Sequence, residues 1–269
     1  MLMIHDLSPE IAQKVSIVFT DIDDTLSSAG KILPVAYNAL WQLHDAGLKI
    51  VPITGRAAGH VDHIARFWPV DAVIGENGAF YAYMATVNGH SVMRKRYFMP
   101  PEDADHAKQK FQLIQKEVFE KFPTCRLASD QNYREFDLAI DFCEDVPALS
   151  LAQVDEIVKI YEKYGAQTKV SSIHVNGWFG EYNKLSMTQL YAREQLGLQP
   201  EILRTTALFI GDSPNDQPMF EFFPYSVGVA NIRRFSDHLI HFPRYISQKD
   251  AGEGFAETVH HLLSLRKTS

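Results

Sequence analysis

The stretch "SIVFTDIDDTLSS", from Ser16 to Ser28, joins a run of apolar and β-branched residues directly to a group of acids. The apolar run is typical of a strand that is buried on both faces of a parallel sheet. Asp21, Asp23 and Asp24 follow it at once, where like charges repel one another and burial penalises the ionised form. The arrangement carries an electrostatic cost, and that cost points to a function for the acids.

Strands and helices alternate on both sides of this stretch. "LKIVPI" (48–53) and "DAVI" (71–74) have the composition of further buried strands. The segment between 34 and 47 has a helical spacing of apolar residues, with Pro34 at its start and Gly47 at its end. Its predicted buried face consists of Ala36, Ala39, Leu40 and Leu43.

The same alternation resumes near the C-terminal third of the chain. A helix is predicted from Lys184 to Gly197, followed by strands at 207–210, 225–230 and 244–247 and by a closing helix. Strands that alternate with helices pair in parallel through right-handed crossovers. The sequence therefore predicts an α/β fold with a Rossmann-like parallel sheet.

The middle of the chain has a different pattern. It opens with an alternating stretch and a turn at Gly89, and two predicted helices and further strands follow. We interpret residues 83–181 as an inserted α+β domain, and residues 1–82 and 182–269 as one core. The first fourteen residues have no predicted role.

Composition excludes several classes of function. The chain of 269 residues is 46% hydrophobic and carries a formal net charge of −7, so nucleic-acid binding has no electrostatic support. No apolar run reaches the roughly 20 residues that span a bilayer, and the N-terminus lacks the features of a signal peptide. We expect a cytoplasmic protein with a small-molecule partner, without nucleic acid or membrane, and in an oligomeric state that the sequence leaves open.

Three of the predicted strands end in polar loops. Asp21, Asp23 and Thr25 follow the first strand, "TGR" (54–56) follows the second, and "GDSPND" (211–216) follows the strand at 207–210. One such loop alone is more often a solvated turn or a helix cap. Ligands of parallel sheets bind at the carboxyl ends of the strands, so three loops of this kind predict one shared site.

The motifs "DIDDT", "TGR", Lys184 and "GDSPND" resemble, in order and placement, the four motifs of the haloacid dehalogenase superfamily of phosphatases. The insert resembles the α/β cap of subfamily IIB, which includes sucrose-phosphate, mannosyl-3-phosphoglycerate and Cof-type phosphatases. "IGENGAFY" (74–81) is similar to the segment that precedes this cap. Asp24 departs from the pattern, since many members of the subfamily have glycine there.

The resemblance implies roles for the acids. Asp21 is the expected nucleophile, and Asp23 is the expected general acid and base. Mg²⁺ prefers oxygen ligands, and the resemblance implies that Asp21 and Asp212 supply side-chain oxygens and Asp23 its backbone carbonyl. A bound cation would offset the repulsion among these acids.

The resemblance also implies a phosphate-binding set. Thr54 is expected to donate its hydroxyl and its backbone N–H to the phosphoryl group, and Lys184 to neutralise its charge. Asp216 is expected to orient Lys184 or a metal-bound water, with Ser213 in the same loop. The phosphate-binding set that the resemblance implies consists of Thr54, Gly55, Lys184 and Asn215.

The inserted domain is expected to close over the site and to contact the leaving group. Its candidate residues are Arg134, His174, Asn176 and Trp178, together with Arg56 of the "TGR" motif. Each also has a structural interpretation: Trp178 as packing, His174 as a hydrogen-bonded strand residue and Arg56 as a surface ion pair.

The sequence predicts a Mg²⁺-dependent phosphatase that acts on a small phosphorylated metabolite, a sugar phosphate, through an aspartyl-phosphate. One alternative is a sugar phosphomutase of the same superfamily. A second is a phospho-ligand sensor without turnover. The intact set Asp21, Asp23, Thr54, Lys184 and Asp212 argues against the sensor.

Overall fold

The computed structural model describes residues 1–170 and 173–266, which form two compact units. The first unit comprises residues 1–55, 61–96 and those from 183 onward, and the second comprises 56–60 and 97–182. None of the helices in the described ranges is long and apolar enough to cross a membrane.

The strands, in chain order, are β1 (Leu2–Met3), β2 (Ile17–Asp21), β3 (Ser27–Ser28), β4 (Lys31–Ile32), β5 (Lys49–Ile53), β6 (Val73–Gly75), β7 (Phe80–Val87), β8 (His90–Tyr97), β9 (Arg126–Leu127), β10 (Asp137–Asp141), β11 (Gln167–Val170), β12 (His174–Trp178), β13 (Ala207–Gly211), β14 (Ser226–Gly228) and β15 (Tyr245–Ile246).

The helices are α1 (Pro9–Lys14), α2 (Pro34–Asp45), α3 (Ala58–Phe67), α4 (Pro101–Lys121), α5 (Leu151–Lys163), α6 (Lys184–Leu196), α7 (Pro200–Thr206), α8 (Gln217–Phe222) and α9 (Ala251–Arg266).

The first unit is built on one large sheet with the strand order β1-β15-β14-β13-β2-β5-β6-β7-β8. In this order, each strand from β1 to β6 pairs in parallel with the next one, and β7 runs antiparallel to β6. The predicted α/β fold with a parallel sheet is confirmed. The predicted insert began at residue 83, whereas residues 83–96 lie in the first unit because β7 and β8 continue its sheet.

The register of the central strands aligns the starting points of their polar loops. In the pairing of β2 with β13, Thr20 lies opposite Ile210, and in the pairing of β2 with β5, Asp21 lies opposite Ile53. The carboxyl ends of these three parallel strands therefore lie at the same height at one edge of the sheet. The loops that begin at Ile22, Thr54 and Asp212 start next to one another.

One face of this sheet is covered by α2 and α9. The predicted apolar face of α2 is confirmed, because Ala36, Ala39, Leu40 and Leu43 are its buried residues. These side chains share a cluster with Val18 and Ile50 of the sheet and with Phe255, Val259 and Leu262 of α9. Burying an aliphatic side chain of this kind stabilises the fold by about 1.5–3 kcal/mol.

The first fourteen residues, for which the sequence suggested no role, add the edge strand β1 to the sheet and pack α1 against α9. β1 pairs in parallel with β15, and the Ser8 hydroxyl caps α1 by accepting a hydrogen bond from the Ile11 N–H. Arg266 of α9 donates to the carbonyl of Ala12 at 2.7 Å. "SPE" (8–10) is a helix-start signal that could have revealed α1.

The second unit is an antiparallel sheet, in the order β11-β12-β10-β9, that packs against α4 and α5. Tyr161 of α5 is fully buried, and its hydroxyl donates to the carbonyl of Leu138 at 3.0 Å. Gly177 of β12 lies under the same ring, since a Cβ there would approach the ring carbons to 2.1 Å. The unit has its own core and an α+β arrangement.

Gly78 lies where the chain passes closest to the start of α6. Its φ is +109°, and a Cβ at this position would lie 2.2 Å from the carbonyl oxygen of Asn183, the residue before Lys184. Gly89, in the turn between β7 and β8, has a φ of +80° with no atom within 4 Å of such a Cβ. A side chain at either position would strain the backbone, but only a side chain at Gly78 would also clash with a neighbouring atom.

We expect Gly78→Ala to lower the free energy of unfolding by at least about 2 kcal/mol, because strain and overlap with backbone add. Gly89→Ala is the matched control and should cost about 1 kcal/mol from the left-handed conformation alone. Urea unfolding of both variants measures the difference. Equal losses would show that the approach to Asn183 does not constrain position 78.

Candidate active site

Asp21 is the last residue of the central strand β2. The strand is buried along its whole length, and the Asp21 side chain lies at the edge where the polar loops begin. The next residues form a tight loop in which the carbonyl of Ile22 accepts hydrogen bonds from the N–H groups of Leu26 and Ser27. This loop holds the acids of "DIDDT" at the end of the strand.

Lys184 reaches Asp21 from a segment 163 positions away in sequence. It is the first residue of α6, which is capped by the side chain of Asn183. Its Nζ lies 2.5 Å from Oδ1 of Asp21 and 2.8 Å from Oδ1 of Asp216. Burial by itself lowers the pKa of Lys184, but these two carboxylates raise it well above its usual range. The lysine is a fixed cation between the two acids.

Asp216 connects this lysine to the loop after β13. Its Oδ1 accepts from Lys184, while its Oδ2 accepts from the N–H of Asp212 at 3.1 Å and from that of Ser213 at 3.4 Å. Gly211 makes this fold of the loop possible, since a Cβ there would lie 2.5 Å from Asp216 Oδ2. The glycine and the last acid of "GDSPND" are thus parts of one local structure.

Asp212 is buried and is held by neutral donors. Thr25 of the first loop donates its hydroxyl to Oδ1 at 3.2 Å, and the amide of Asn231 donates to Oδ2 at 3.1 Å. No role for Asn231 was predicted from the sequence. It follows the strand β14, so the rule that polar residues at strand ends line a site could have found it.

Burial and mutual repulsion dominate the titration of the acids. Burial raises the pKa of Asp21 to about 7 against the attraction of Lys184, with Asp216 and Asp23 adding to the increase. Burial also raises the pKa of Asp212 to about 8, and the neighbouring charges of Asp21 and Asp216 contribute. One lysine does not balance the three buried carboxylates.

Ligand oxygens of Asp21, Asp212 and Asp216 lie within 4.8 Å of one another, a spacing compatible with a metal ion. The donor set is all oxygen, which suits a hard divalent cation. Asn215 lies in the same loop, and its Oδ1 is buried without a hydrogen-bond donor among the described residues. An excess of buried negative charge and an unsatisfied oxygen both fit a cation with its bound waters.

Thr54 follows β5, and its environment corrects one expectation. Its backbone N–H donates to the carbonyl of Ile74 at 2.9 Å, so this N–H is engaged within the sheet. The expected donation of this N–H to a phosphoryl group therefore does not fit the structure. Gly55 is required by packing, because a Cβ there would lie 2.9 Å from Oδ1 of Asn77.

The sequence did not identify the loop at 76–78 as a support for the site. Glu76 and Asn77 are buried with φ values of +44° and +57°, a left-handed conformation that is costly for Glu. The N–H of Asn77 donates to the carbonyl of Thr54 at 3.1 Å, and Gly78 contacts the start of α6. This loop therefore supports both the threonine and the lysine.

Asp23 and Asp24 differ in environment from Asp21. Asp23 is half-buried in the loop after β2, and its charge contributes to the raised pKa of Asp21. Asp24 has a φ of +54°, which explains why glycine suits this position in the family pattern. Aspartate tolerates this conformation better than most residues do, so the departure is compatible with the loop.

The residues predicted to contact the leaving group make hydrogen bonds and ion pairs within the second unit. The Arg134 guanidinium forms ion pairs of 2.8 Å with Asp130 and with Asp137, and its side chain is 5% exposed. Asn176 donates to the same Asp137 at 3.2 Å. Arg134 and Asn176 are therefore parts of one buried polar network.

His174 and Trp178 are likewise engaged within this unit. His174 Nε2 lies 2.9 Å from Oε2 of Glu144. Trp178 stacks on Tyr182 and donates its indole N–H to the carbonyl of that residue at 3.3 Å. Arg56 directly follows Gly55 and begins the short segment 56–60 that groups with the second unit. For these residues, contact with a substrate stays a prediction.

The chain is similar to known hydrolases and phosphatases. A family model of haloacid dehalogenase-like hydrolases matches residues 18–120. A phosphoglycolate phosphatase of Methanothrix thermoacetophila is 26% identical over 263 residues, which cover 92% of this chain and 97% of that protein.

Solved structures share the fold over nearly the whole chain. A Thermoplasma acidophilum protein has a TM-score of 0.68 at 19% identity and covers 93% of this chain and 99% of its own. The sucrose-phosphatase of Synechocystis, solved with sucrose and phosphate, has a TM-score of 0.63 at 18% identity and covers 93% and 98%. At these identities the likeness is one of fold. Together with the family match over residues 18–120 and the phosphatase relative, it shows that the chain is similar to haloacid dehalogenase-like hydrolases.

Proposed function

We propose that the protein is a Mg²⁺-dependent phosphatase that hydrolyses a small phosphorylated metabolite, a sugar phosphate, through an aspartyl-phosphate on Asp21. The observation that carries this proposal is the pairing of the buried Lys184 with Asp21 and Asp216, directly beside Asp212. A carboxylate nucleophile, a fixed cation and an acidic cluster are what phosphoryl transfer needs for positioning and charge stabilisation.

Asp21 and Asp212 would hold the Mg²⁺ with their side chains, and Asp23 with its backbone carbonyl. When bound, the ion supplies positive charge that draws the phosphoryl oxygens toward Asp21 and offsets their charge. Asp216 Oδ2 already accepts two backbone N–H groups and its Oδ1 accepts from Lys184, so we assign it to orienting the lysine.

The chemistry would proceed in two transfers. An oxygen of Asp21 attacks the phosphorus while the bond to the leaving oxygen breaks, and Asp23 gives that oxygen its proton. Asp23 then takes a proton from water, and the water oxygen displaces the Asp21 carboxylate from phosphorus to release inorganic phosphate. Lys184 contacts Oδ1 of Asp21, which leaves Oδ2 as the attacking atom, and the Thr54 hydroxyl would donate to the transferred group.

The substrate class is inferred from two kinds of relative. The curated relative is named a phosphoglycolate phosphatase, and one structural neighbour is a sucrose-phosphatase. Both names describe small phosphate monoesters. The two relatives define the classes of compound to compare, namely phosphoglycolate and sugar phosphates.

A phosphomutase of the same superfamily is the alternative that keeps this chemistry. In that case the aspartyl-phosphate would pass its phosphoryl group to a second sugar hydroxyl instead of water. Release of inorganic phosphate, measured with and without a bisphosphate activator, separates the two activities. A sugar monophosphate that is isomerised without phosphate release would contradict the phosphatase proposal.

The direct test is a phosphate-release screen over phosphorylated metabolites, including phosphoglycolate and sugar phosphates, with Mg²⁺ and with EDTA. We expect turnover with Mg²⁺ that EDTA abolishes. Asp21→Asn should remove nearly all of it, because the amide is not a nucleophile. Asp24→Gly is the matched control from the same loop and should retain most of the activity, since glycine adopts a positive φ without strain. Turnover by Asp21→Asn near the wild-type rate would rule out the aspartyl-phosphate.

The role of Asp23 as an acid predicts a dependence on the leaving group. Asp23→Asn should lose much less activity on an activated aryl phosphate than on a sugar phosphate, because a good leaving group needs little protonation. Comparing kcat for the two substrates in wild-type and variant protein measures this difference. If both substrates slow by the same factor, Asp23 does not protonate the leaving group.

The raised carboxyl pKa values predict how stability depends on pH without metal. Because the pKa of Asp21 is about 7 and that of Asp212 about 8, the folded protein binds more protons than the unfolded chain above about pH 4. Stability in EDTA should therefore fall as pH rises toward 8, by about 1.4 kcal/mol per pH unit for each extra bound proton.

Thermal unfolding at pH 5 to 8 checks this, and Asp212→Asn serves as the control. Its stability in EDTA should depend less on pH, because one of the two titrating carboxyls is gone. Saturating Mg²⁺ should likewise reduce the slope for the wild-type protein, since metal binding favours the ionised acids. A wild-type protein whose stability in EDTA is constant from pH 5 to 8 would contradict the prediction.

A further inference from the structure

Asn231 lies where three separate segments of the first unit meet. It follows β14, whose residues Val227 and Gly228 pair in register with Ile210 and Gly211 of β13. The N–H of Val229 continues this ladder by donating to the carbonyl of Gly211 at 3.0 Å. The ladder therefore delivers Asn231 beside Asp212, and the side chain is buried there, at 6% exposure.

All the hydrogen-bonding groups of the Asn231 amide are used. Nδ2 donates to the backbone carbonyl of Asp24 at 2.9 Å and to Oδ2 of Asp212 at 3.1 Å. Oδ1 accepts from the N–H of Ala251 at 2.8 Å. Two acceptors face the NH₂ group and one donor faces the oxygen, so only one orientation of the amide satisfies all three.

The contact with Asp212 fixes the carboxylate without consuming its charge. Thr25 donates to one oxygen and Asn231 to the other, and both donors are neutral. A cationic partner would have neutralised the carboxylate, as Lys184 does for Asp21. Two neutral donors instead orient an ionised group and leave its charge for a metal.

The contact with Asp24 stabilises the loop that carries the other acids. Asp24 lies in the loop after β2 and has a φ of +54°. Asn231 donates to the carbonyl of Asp24 from a segment 207 positions away. The same amide therefore holds the loop after β2 against the loop after β13.

We propose that Asn231 is a positioning residue, which sets the distance between the Asp212 carboxylate and the Asp21–Asp24 loop so that both present their oxygens to one Mg²⁺. This inference rests on the proposed function, since it assumes that these loops hold the metal. Asn231 contacts neither the substrate nor the reacting atoms in this role. Its contribution is the geometry of the ligands.

Asn231 could also matter only for stability, through its hydrogen bond to the start of α9. Asn231 also ties down the start of α9 through Ala251, a residue with a φ of +48°. Ser28 does the same one residue later, where its hydroxyl accepts from the N–H of Gly252 at 3.1 Å. Ser28→Ala therefore removes a tether of α9 without touching Asp212 or Asp24, and it is the matched control.

The test measures Mg²⁺ binding to the full chain by isothermal titration calorimetry. Asn231→Leu keeps a similar shape but removes all three hydrogen bonds, and it should raise the Kd for Mg²⁺ by about tenfold or more. The Mg²⁺ concentration for half-maximal turnover should rise by the same factor, with kcat at saturating Mg²⁺ changed by only a few-fold. Ser28→Ala should lower the Tm but leave the Kd unchanged.

Asn231→Ala is the second variant if the leucine is not accommodated, and the same increase in Kd is expected. An Asn231 variant that folds and binds Mg²⁺ with the wild-type Kd would overturn the inference while leaving the proposed function intact. An equal loss of affinity in Ser28→Ala would overturn it too, by tracing the effect to α9. A wild-type protein that binds no Mg²⁺ would overturn both the metal dependence and this inference.

Discussion

The arrangement of the first unit depends on one buried cation, the Lys184 ammonium, and its two carboxylate partners. Removing charges from water costs several kcal/mol per ion unless they are paired and hydrogen-bonded. Lys184 meets Asp21 at the end of β2 and Asp216 in the loop after β13, so strand, loop and helix must come together with little freedom. The asparagine cap of α6 and the close approach of Gly78 to Asn183 follow from the need to start the helix at that point.

The single lysine leaves an excess of negative charge among the buried carboxylates, and the remaining hydrogen-bond donors of the site are uncharged. Asp212 receives hydrogen bonds from a hydroxyl and an amide, and Asp216 receives two backbone N–H groups in addition to the lysine. Such donors orient carboxylates but do not remove their charge, so the pKa values of Asp21 and Asp212 stay high in the protein without metal. A divalent cation should stabilise such a site strongly, because the ion favours the ionised carboxylates that burial disfavours.

In the second unit, polar residues that look suited to ligand binding are used for internal structure. Arg134 contacts two acids that lie three and four positions away, and Asn176 reaches one of them from the neighbouring strand. A guanidinium that is 5% exposed must be satisfied from within the protein, because an unpaired buried charge is strongly destabilising. Residue type alone therefore did not separate a substrate contact from a framework contact here.

The sequence by itself determined the α/β fold, the parallel pairing of the central strands and the residues at their carboxyl ends, because hydrophobic periodicity and loop chemistry are local properties. It also singled out Asp21, Lys184, Asp212 and Asp216, which the structure brings together. Only the tertiary structure decided what depends on distant partners. The Thr54 N–H belongs to the sheet, Glu76 and Asn77 support the site, β1 extends the sheet and Asn231 joins two acidic loops. An amide shows no preference for its partners until the chain has folded, and its role is set by the donors and acceptors that the fold places around it.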